Sequence, residues 1–203
     1  MNKDTLSSRQ ERRLELLGQI GDVSRVNQGA TNLFDERFGD FLGLNNTDGR
    51  CLDIIDQHGR LSAGQLANFS GLTTGAVTAV IDRLEKAGYV HRERDPLDRR
   101  KIWVETTKHT RAIVETVFGV YDIIGPMMMR HFTLDQLEGI LAFMRMGTRV
   151  NETLAAGLKE NTKAGLAPAE QIERATLFRR AMDALAPKLQ EELDEILPPT
   201  GDK

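Results

Sequence analysis

Six basic side chains fall between Lys86 and Lys101, namely Lys86, Arg92, Arg94, Arg99, Arg100 and Lys101, against three acids, Glu93, Asp95 and Asp98. Guanidinium and ammonium groups at that local density suit polyanion binding, although the whole chain carries a net charge of −3. Phosphate contacts depend on the local cluster and not on the global sum. Just before the cluster, the run from Thr73 offers Thr74, Gly75, Thr78 and Ala79. These residues are small or can hydrogen-bond, so they can approach base edges closely. A threonine presents a hydroxyl to a base or phosphate and a methyl to thymine. The chemistry in view is recognition.

Bond-making chemistry finds no comparable residues. The chain has no G-x-S-x-G, Walker loop, G-x-G-x-x-G or H-E-x-x-H, so it does not read as an enzyme. His58, His91, His109 and His131 are scattered without ligand spacing, so no metal site and no cofactor is expected. The single cysteine, Cys51, excludes an intramolecular disulfide. It shares an apolar helix face with Ile54 and Ile55, which favours a buried structural thiol over a redox sensor. Residues 1–13 are polar, which speaks against a signal peptide, and no stretch is expected to reach the ~20 apolar residues that span a bilayer. These readings predict a cytoplasmic protein with no membrane partner.

The elements that must position the basic cluster follow from periodicity. From Arg9 to about Phe38, Leu14, Leu17, Ile20, Leu33, Phe34 and Phe38 mark a helix about 40 Å long, too long to bury its own stripe. Asn45 or Asn46 caps a second helix carrying Cys51, Ile54 and Ile55, which stops at Gly59. Arg60 and Leu61 form a short extended link. Ser62 and Gln65 form a capping box that opens a short helix with Leu66 and Phe69 inward. Ser70-Gly71-Leu72 is a tight turn. Thr73 caps the next helix, whose Val77, Val80, Ile81 and Leu84 form a buried stripe. Thr74, Gly75, Thr78, Asp82 and Glu85 occupy the opposite face, and Gly88 ends the helix. Tyr89–Arg94 and Lys101–Thr106 read as two strands joined by a charged turn with Pro96 in the loop. Helix, turn, helix and hairpin in that order make a winged helix-turn-helix.

After Thr107, Ile113, Val114, Val117, Phe118 and Tyr121 mark another helix, with a kink or break at Gly125-Pro126. Thr133 and Gln136 box a helix that runs to about Leu158, with Leu137, Ile140, Leu141 and Met144 on one side. Asn161 to Ala167 reads as a linker. Pro168 opens a further helical region that Pro187 divides into two segments, and the end from Pro198 to Lys203 is expected to fray. Met127, Met128, Met129, Met144 and Met146 suit core or dimer packing more than an effector pocket.

The run from Leu72 to Val90, with its D-R-L-E-K-x-G stretch from Asp82 to Gly88, and the wing D-P-x-D-R-R from Asp95 to Arg100 resemble the MarR family of bacterial regulators. The likeness is strongest from Leu44 to Thr107 and extends more loosely from Arg9 to about Leu158. It implies a homodimer with interleaved terminal helices and two winged heads on a palindromic double-stranded operator. It also implies a repressor released by a small, often aromatic, effector. On this resemblance Asp98 braces Arg100 at the wing tip, and Thr74, Gly75, Thr78 and Ala79 face the groove. Ala79 stands where relatives often have a long polar or basic residue, and Thr106 and Thr110 replace the usual leucine and glycine. About fifty residues extend beyond a typical member.

The expected fold is therefore all-α with a small β-wing, a winged helix-turn-helix joined to a helical dimerisation region. Residues 1–43 form the N-terminal dimerisation helix, 44–107 the DNA-binding domain, 108–160 the C-terminal dimerisation helices and 161–203 a helical extension. The expected DNA-contacting residues are Thr73, Thr74, Gly75, Thr78, Ala79, Arg83, Arg92, Arg94, Asp98, Arg99, Arg100 and Lys101. Two other readings stand beside this one. One is a regulator without a small-molecule effector. The other is a winged-helix protein-interaction module that uses the acidic residues Glu191, Glu192, Asp194 and Glu195.

Overall fold

The computed structural model describes residues 3–98, 101–163, 165 and 167–198. Arg99 and Arg100 of the expected wing tip, and the expected frayed end beyond residue 198, lie outside them. The chain divides into two compact units, Met1–Val120 and Tyr121–Lys203. The first holds α1 (Lys3–Leu42), α2 (Asn46–His58), β1 (Arg60–Ser62), α3 (Ala63–Ser70), α4 (Thr74–Lys86), β2 (Val90–Arg94), β3 (Ile102–Thr106) and α5 (Lys108–Phe118). The second holds α6 (Tyr121–Met129), α7 (Leu134–Asn161) and α8 (Pro168–Ile196). The architecture is mostly helical with one small antiparallel sheet, as the sequence predicts.

The caps fall where their chemistry requires. The Asn45 side chain accepts from Asp48 N to start α2, Thr73 accepts from Ala76 N to start α4, and Ser62 with Gln65 forms a reciprocal box at α3. Gly71 follows α3 at φ 73°, a left-handed conformation that a side chain disfavours, and so turns the chain into α4. Eleven residues spread over α2, β1, α3, α4, β2 and β3 form one core, among them Ile55, Leu66, Val77, Ile81 and Leu84. Each large apolar side chain buried there contributes about 1.5–3 kcal/mol. Cys51 is part of this core, and burial, with the nearby Asp48 carboxylate, pushes its thiol pKa up.

Several expectations need correction. Arg60 and Leu61 do not form a mere link. With Ser62 they make a third strand, in the order β1-β3-β2, with Leu61 opposite Val104. That pairing satisfies the outer edge of β3 and buries Leu61. Phe69 does not point inward. Leu66 fills the core, while Phe69 is half exposed and its ring stacks 4.2 Å from that of His58. The first helix is longer than its apolar stripe, running from Lys3 to Leu42 and ending at Gly43, whose φ is 70°. Its C-terminal end packs Phe34 and Phe38 edge-on against Phe118 at 5.6 and 5.4 Å, while Leu14, Leu17, Val23 and Val26 stay exposed.

The break after α5 falls at Gly119-Val120 and not at Gly125-Pro126, which lies inside α6. A Cβ at Gly119 would stand 2.7 Å from the Glu115 carbonyl oxygen, so this close approach suits glycine. The expectation that no stretch could span a bilayer also fails on length and composition, since the 22 residues Lys108–Met129 meet both. The break divides them, however, into helices of 11 and 9 residues, each short of the ~20 that a span needs. Pro187 does not divide the C-terminal region, because α8 runs through it from Pro168 to Ile196. Packing on both sides of Pro187 holds the helix to α7. Gly157 is buried against Phe178 and Met182, and Arg149 Nε meets Glu192 Oε2 at 2.6 Å. Those contacts offset the backbone hydrogen bond that proline removes.

Candidate nucleic-acid interface

Helix α4 is anchored by its back. Val77, Val80, Ile81 and Leu84 are all at most 2% exposed, which leaves Thr74, Gly75, Thr78 and Ala79 on the open surface. The Thr78 hydroxyl donates to the Thr74 carbonyl at 3.0 Å, and its oxygen lone pairs stay available. The N-terminal turn, capped by Thr73, presents the positive end of the helix dipole. A surface helix with a small, uncharged front can enter a major groove without steric or charge conflict.

Two charged networks hold α4 in place. Arg83 forms a bidentate pair with Asp48 of α2, Nε to Oδ2 at 2.8 Å and Nη2 to Oδ1 at 2.6 Å. Asp48 is buried and also accepts from Asn45 Nδ2 at 2.9 Å. The hydrogen bond to Asp48 raises the Arg83 pKa. On the other flank, Arg92 of β2 bonds Asp82 and Glu85 of α4 through its guanidinium. Its backbone N–H donates to Glu85 Oε1 at 3.0 Å. One guanidinium shared between two carboxylates offsets half of their charge and ties β2 to α4.

The wing turn is organised by Asp95. Its Oδ2 accepts from the Trp103 indole N–H at 2.8 Å, and its Oδ1 accepts from Leu97 N at 2.8 Å and Asp98 N at 3.0 Å. The Trp103 bond first, then the two backbone donors, hold the Asp95 carboxyl down at about 2. Backbone bonds close the turn, Asp95 N to Lys101 O and Lys101 N to Asp98 O, both 2.9 Å. Lys101 and Arg94 are exposed, and the Arg94 side chain has no partner among the described residues.

The entry to α5 is likewise tied down. Thr107 caps α5 and donates to the Gly88 carbonyl at 2.9 Å, and the buried Thr110 donates to the Tyr89 carbonyl at 2.6 Å. Tyr89 in turn donates its phenol to the Leu42 carbonyl at 2.6 Å, which links the base of the wing to the end of α1.

The structure thus brings Thr73, Thr74, Gly75, Thr78 and Ala79 onto one open surface. It engages Arg83 and Arg92 in ion pairs within the head and leaves Arg94 and Lys101 exposed. The expected brace between Asp98 and Arg100 falls partly outside the described residues. Sequence reasoning gave no positioning role to Asp48, Asp95 or Trp103. Signals existed for two of them. Asp48 stands three residues after the Asn45 cap, and Asp95-Pro96 is an Asx-turn opening. Nothing local marked Trp103.

The order of elements, the buried back and open front of α4, and the basic hairpin define a winged helix-turn-helix. Residues 44–102 match the MarR family. The chain is 36% identical over 130 residues to the HTH-type transcriptional regulator YcgE of Bacillus subtilis (strain 168), covering 64% of this chain and 84% of the relative. It is 29% identical to YkoM of the same organism over 103 residues, 51% of this chain and 67% of that one. Among solved structures, a crystal structure of MarR aligns at 26% identity with a TM-score of 0.41, covering 70% of this chain and 98% of that one. A MarR protein from Peptoclostridium difficile DA00132 aligns at 20% identity with a TM-score of 0.47, covering 68% and 88%. The chain belongs to the MarR family of transcriptional regulators.

Proposed function

We propose that this chain is a homodimeric repressor that lays α4 of each protomer in the major groove of a palindromic operator and is released by a small aromatic effector. The observation that carries the reading is the open front of α4, where Thr74, Gly75, Thr78 and Ala79 are exposed while the opposite stripe is buried. Thr73 adds its helix-start N–H groups to phosphate binding. Arg94 and Lys101, with Asp98, Arg99 and Arg100 of the wing tip, meet the backbone or the adjacent minor groove. In this reading Arg83 and Arg92 hold α4 at its working angle through their ion pairs. Residues 1–43 and 108–160 form the dimer body. The protein works on DNA in the cytoplasm.

An apolar cleft supports the effector. Phe34, Phe38, Phe41 and Val117 line it together with Arg37, whose guanidinium pairs with Asp40 at 2.9 Å. Such a cleft offers rings to an aromatic acid and a cation to its carboxylate. Thermal stabilisation by benzoate-type acids, lost in Arg37→Ala, is the expected result.

The function is tested by gel shift on fragments of the DNA upstream of the chain's own gene, with excess nonspecific competitor. A discrete, competitor-resistant shift that an aromatic acid dissolves is expected. A folded protein that shifts no fragment, and selects no sequence from a random duplex pool, would overturn the reading in favour of a protein-interaction module.

A further inference from the structure

Trp103 is the only tryptophan in the chain, and it touches both ends of the wing turn. Its indole N–H donates to Asp95 Oδ2 at 2.8 Å, the carboxylate whose other oxygen gathers Leu97 N and Asp98 N. At the exit of the turn, Lys101 Nζ stands 4.2 Å from the Trp103 ring centroid, and Arg60 Cζ of β1 stands 5.1 Å from it. Trp103 lies opposite Ser62 on β1 and Glu93 on β2, so its backbone is fixed on both sides by the sheet. The tryptophan therefore connects the rigid sheet to the acceptor that shapes the turn and to an exposed cation.

A lysine ammonium on a free four-carbon stem loses rotamer freedom when it meets a phosphate. A ring that already confines it reduces that loss. The ring face engages the charge without taking up an ordinary N–H···O bond, so the donors turned away from it remain for phosphate oxygens. We propose that Trp103 is a positioning residue of the wing, holding Asp95 through its indole N–H and Lys101 over its ring so that the wing cations meet DNA in a preset direction. This rests on the reading of the wing as a DNA contact.

The test measures binding of the full chain to a labelled mixed-sequence DNA duplex by anisotropy across a salt series. Native protein is compared with Trp103→Phe, which keeps a ring but loses the N–H, with Asp95→Asn, with their double variant and with Lys101→Ala. Trp103→Phe and Asp95→Asn should each weaken binding about threefold to tenfold, and the double variant should be no weaker than either single. Lys101→Ala should reduce the salt slope by about one, and Trp103→Phe should lose most of its effect in that background. Melting temperatures recorded alongside should show every variant folded, with a loss no larger than the small one that follows from breaking the Asp95 bonds. Additive effects in the double variant, or an undiminished Trp103→Phe effect without Lys101, would overturn the positioning role while leaving the wing contact standing. Native binding that neither Lys101→Ala nor Arg94→Ala alters would remove the wing contact itself, and the role with it.

Discussion

In the winged head, the apolar stripe of α4 meets α2, α3 and the sheet, and Ile55, Leu66, Val77 and Leu84 are wholly buried. In residues 121–198, Ala142 is the one hydrophobic residue that is buried among those described. There Ile123, Met127, Met128, Leu141 and Met144 are each at least 50% exposed. Both regions carry helical-period apolar patterns, yet only the head closes its pattern within one chain. The difference teaches that periodicity fixes which face is apolar but not what covers it. A second copy of the chain is the occupant proposed above for these exposed apolar side chains.

The largest expected effect breaks the head. Leu84→Ala should lower its stability by about 2–5 kcal/mol in urea unfolding, because a fully buried leucine leaves both lost transfer energy and a cavity. A loss below about 1 kcal/mol would mean that the site collapses freely and is not a packed core. The second region responds in the opposite way. Leu141→Glu, at a half-exposed position of α7, should leave helical content unchanged and shift sedimentation from dimer to monomer. Unchanged assembly would remove this face from the dimer contact. Thr73→Ala takes away the α4 cap, whose hydroxyl accepts from Ala76 N at 3.3 Å, and should cost about 1 kcal/mol, read as a fall in Tm.

The smallest effect is a pH dependence confined to the wing. The Asp95 carboxyl is lowered from 3.8 to about 2 in the folded chain. A depressed folded value stabilises the charged form, so its contribution is fully present above 3.8 and is lost as pH falls through about 2. Asp95→Asn should therefore differ from native in stability above that window and converge with it below. The carbon-13 shift of the Asp95 carboxyl should titrate near 2. A midpoint near 3.8 would show that the Trp103 and backbone bonds do not persist in solution.

How far the sequence could be read follows the same division. The head was legible to within a residue or two at most boundaries, because its caps and its stripe are local signals. Asn45, Ser62 and Thr73 each act through a neighbour three residues on. The strand pairing of Leu61 with Val104 was not legible, because three residues carry no period and their partner lies across the domain. The same holds for Arg83 and Arg92. Their charge was visible and suggested phosphate contacts, whereas their carboxylate partners Asp48, Asp82 and Glu85 emerge only when the helices pack. Pro187 misled for the converse reason. Local propensity argued for a break, and packing of α8 on α7 overrode it.

The central claim is that the open front of α4 touches DNA, and Thr78 lies in the middle of that front. The most direct measurement is the affinity of Thr78→Glu for the recovered upstream fragment at fixed salt, beside its melting temperature. A carboxylate there should repel the phosphates and weaken binding at least about tenfold with Tm unchanged. Native affinity in a normally folded Thr78→Glu protein would contradict the account.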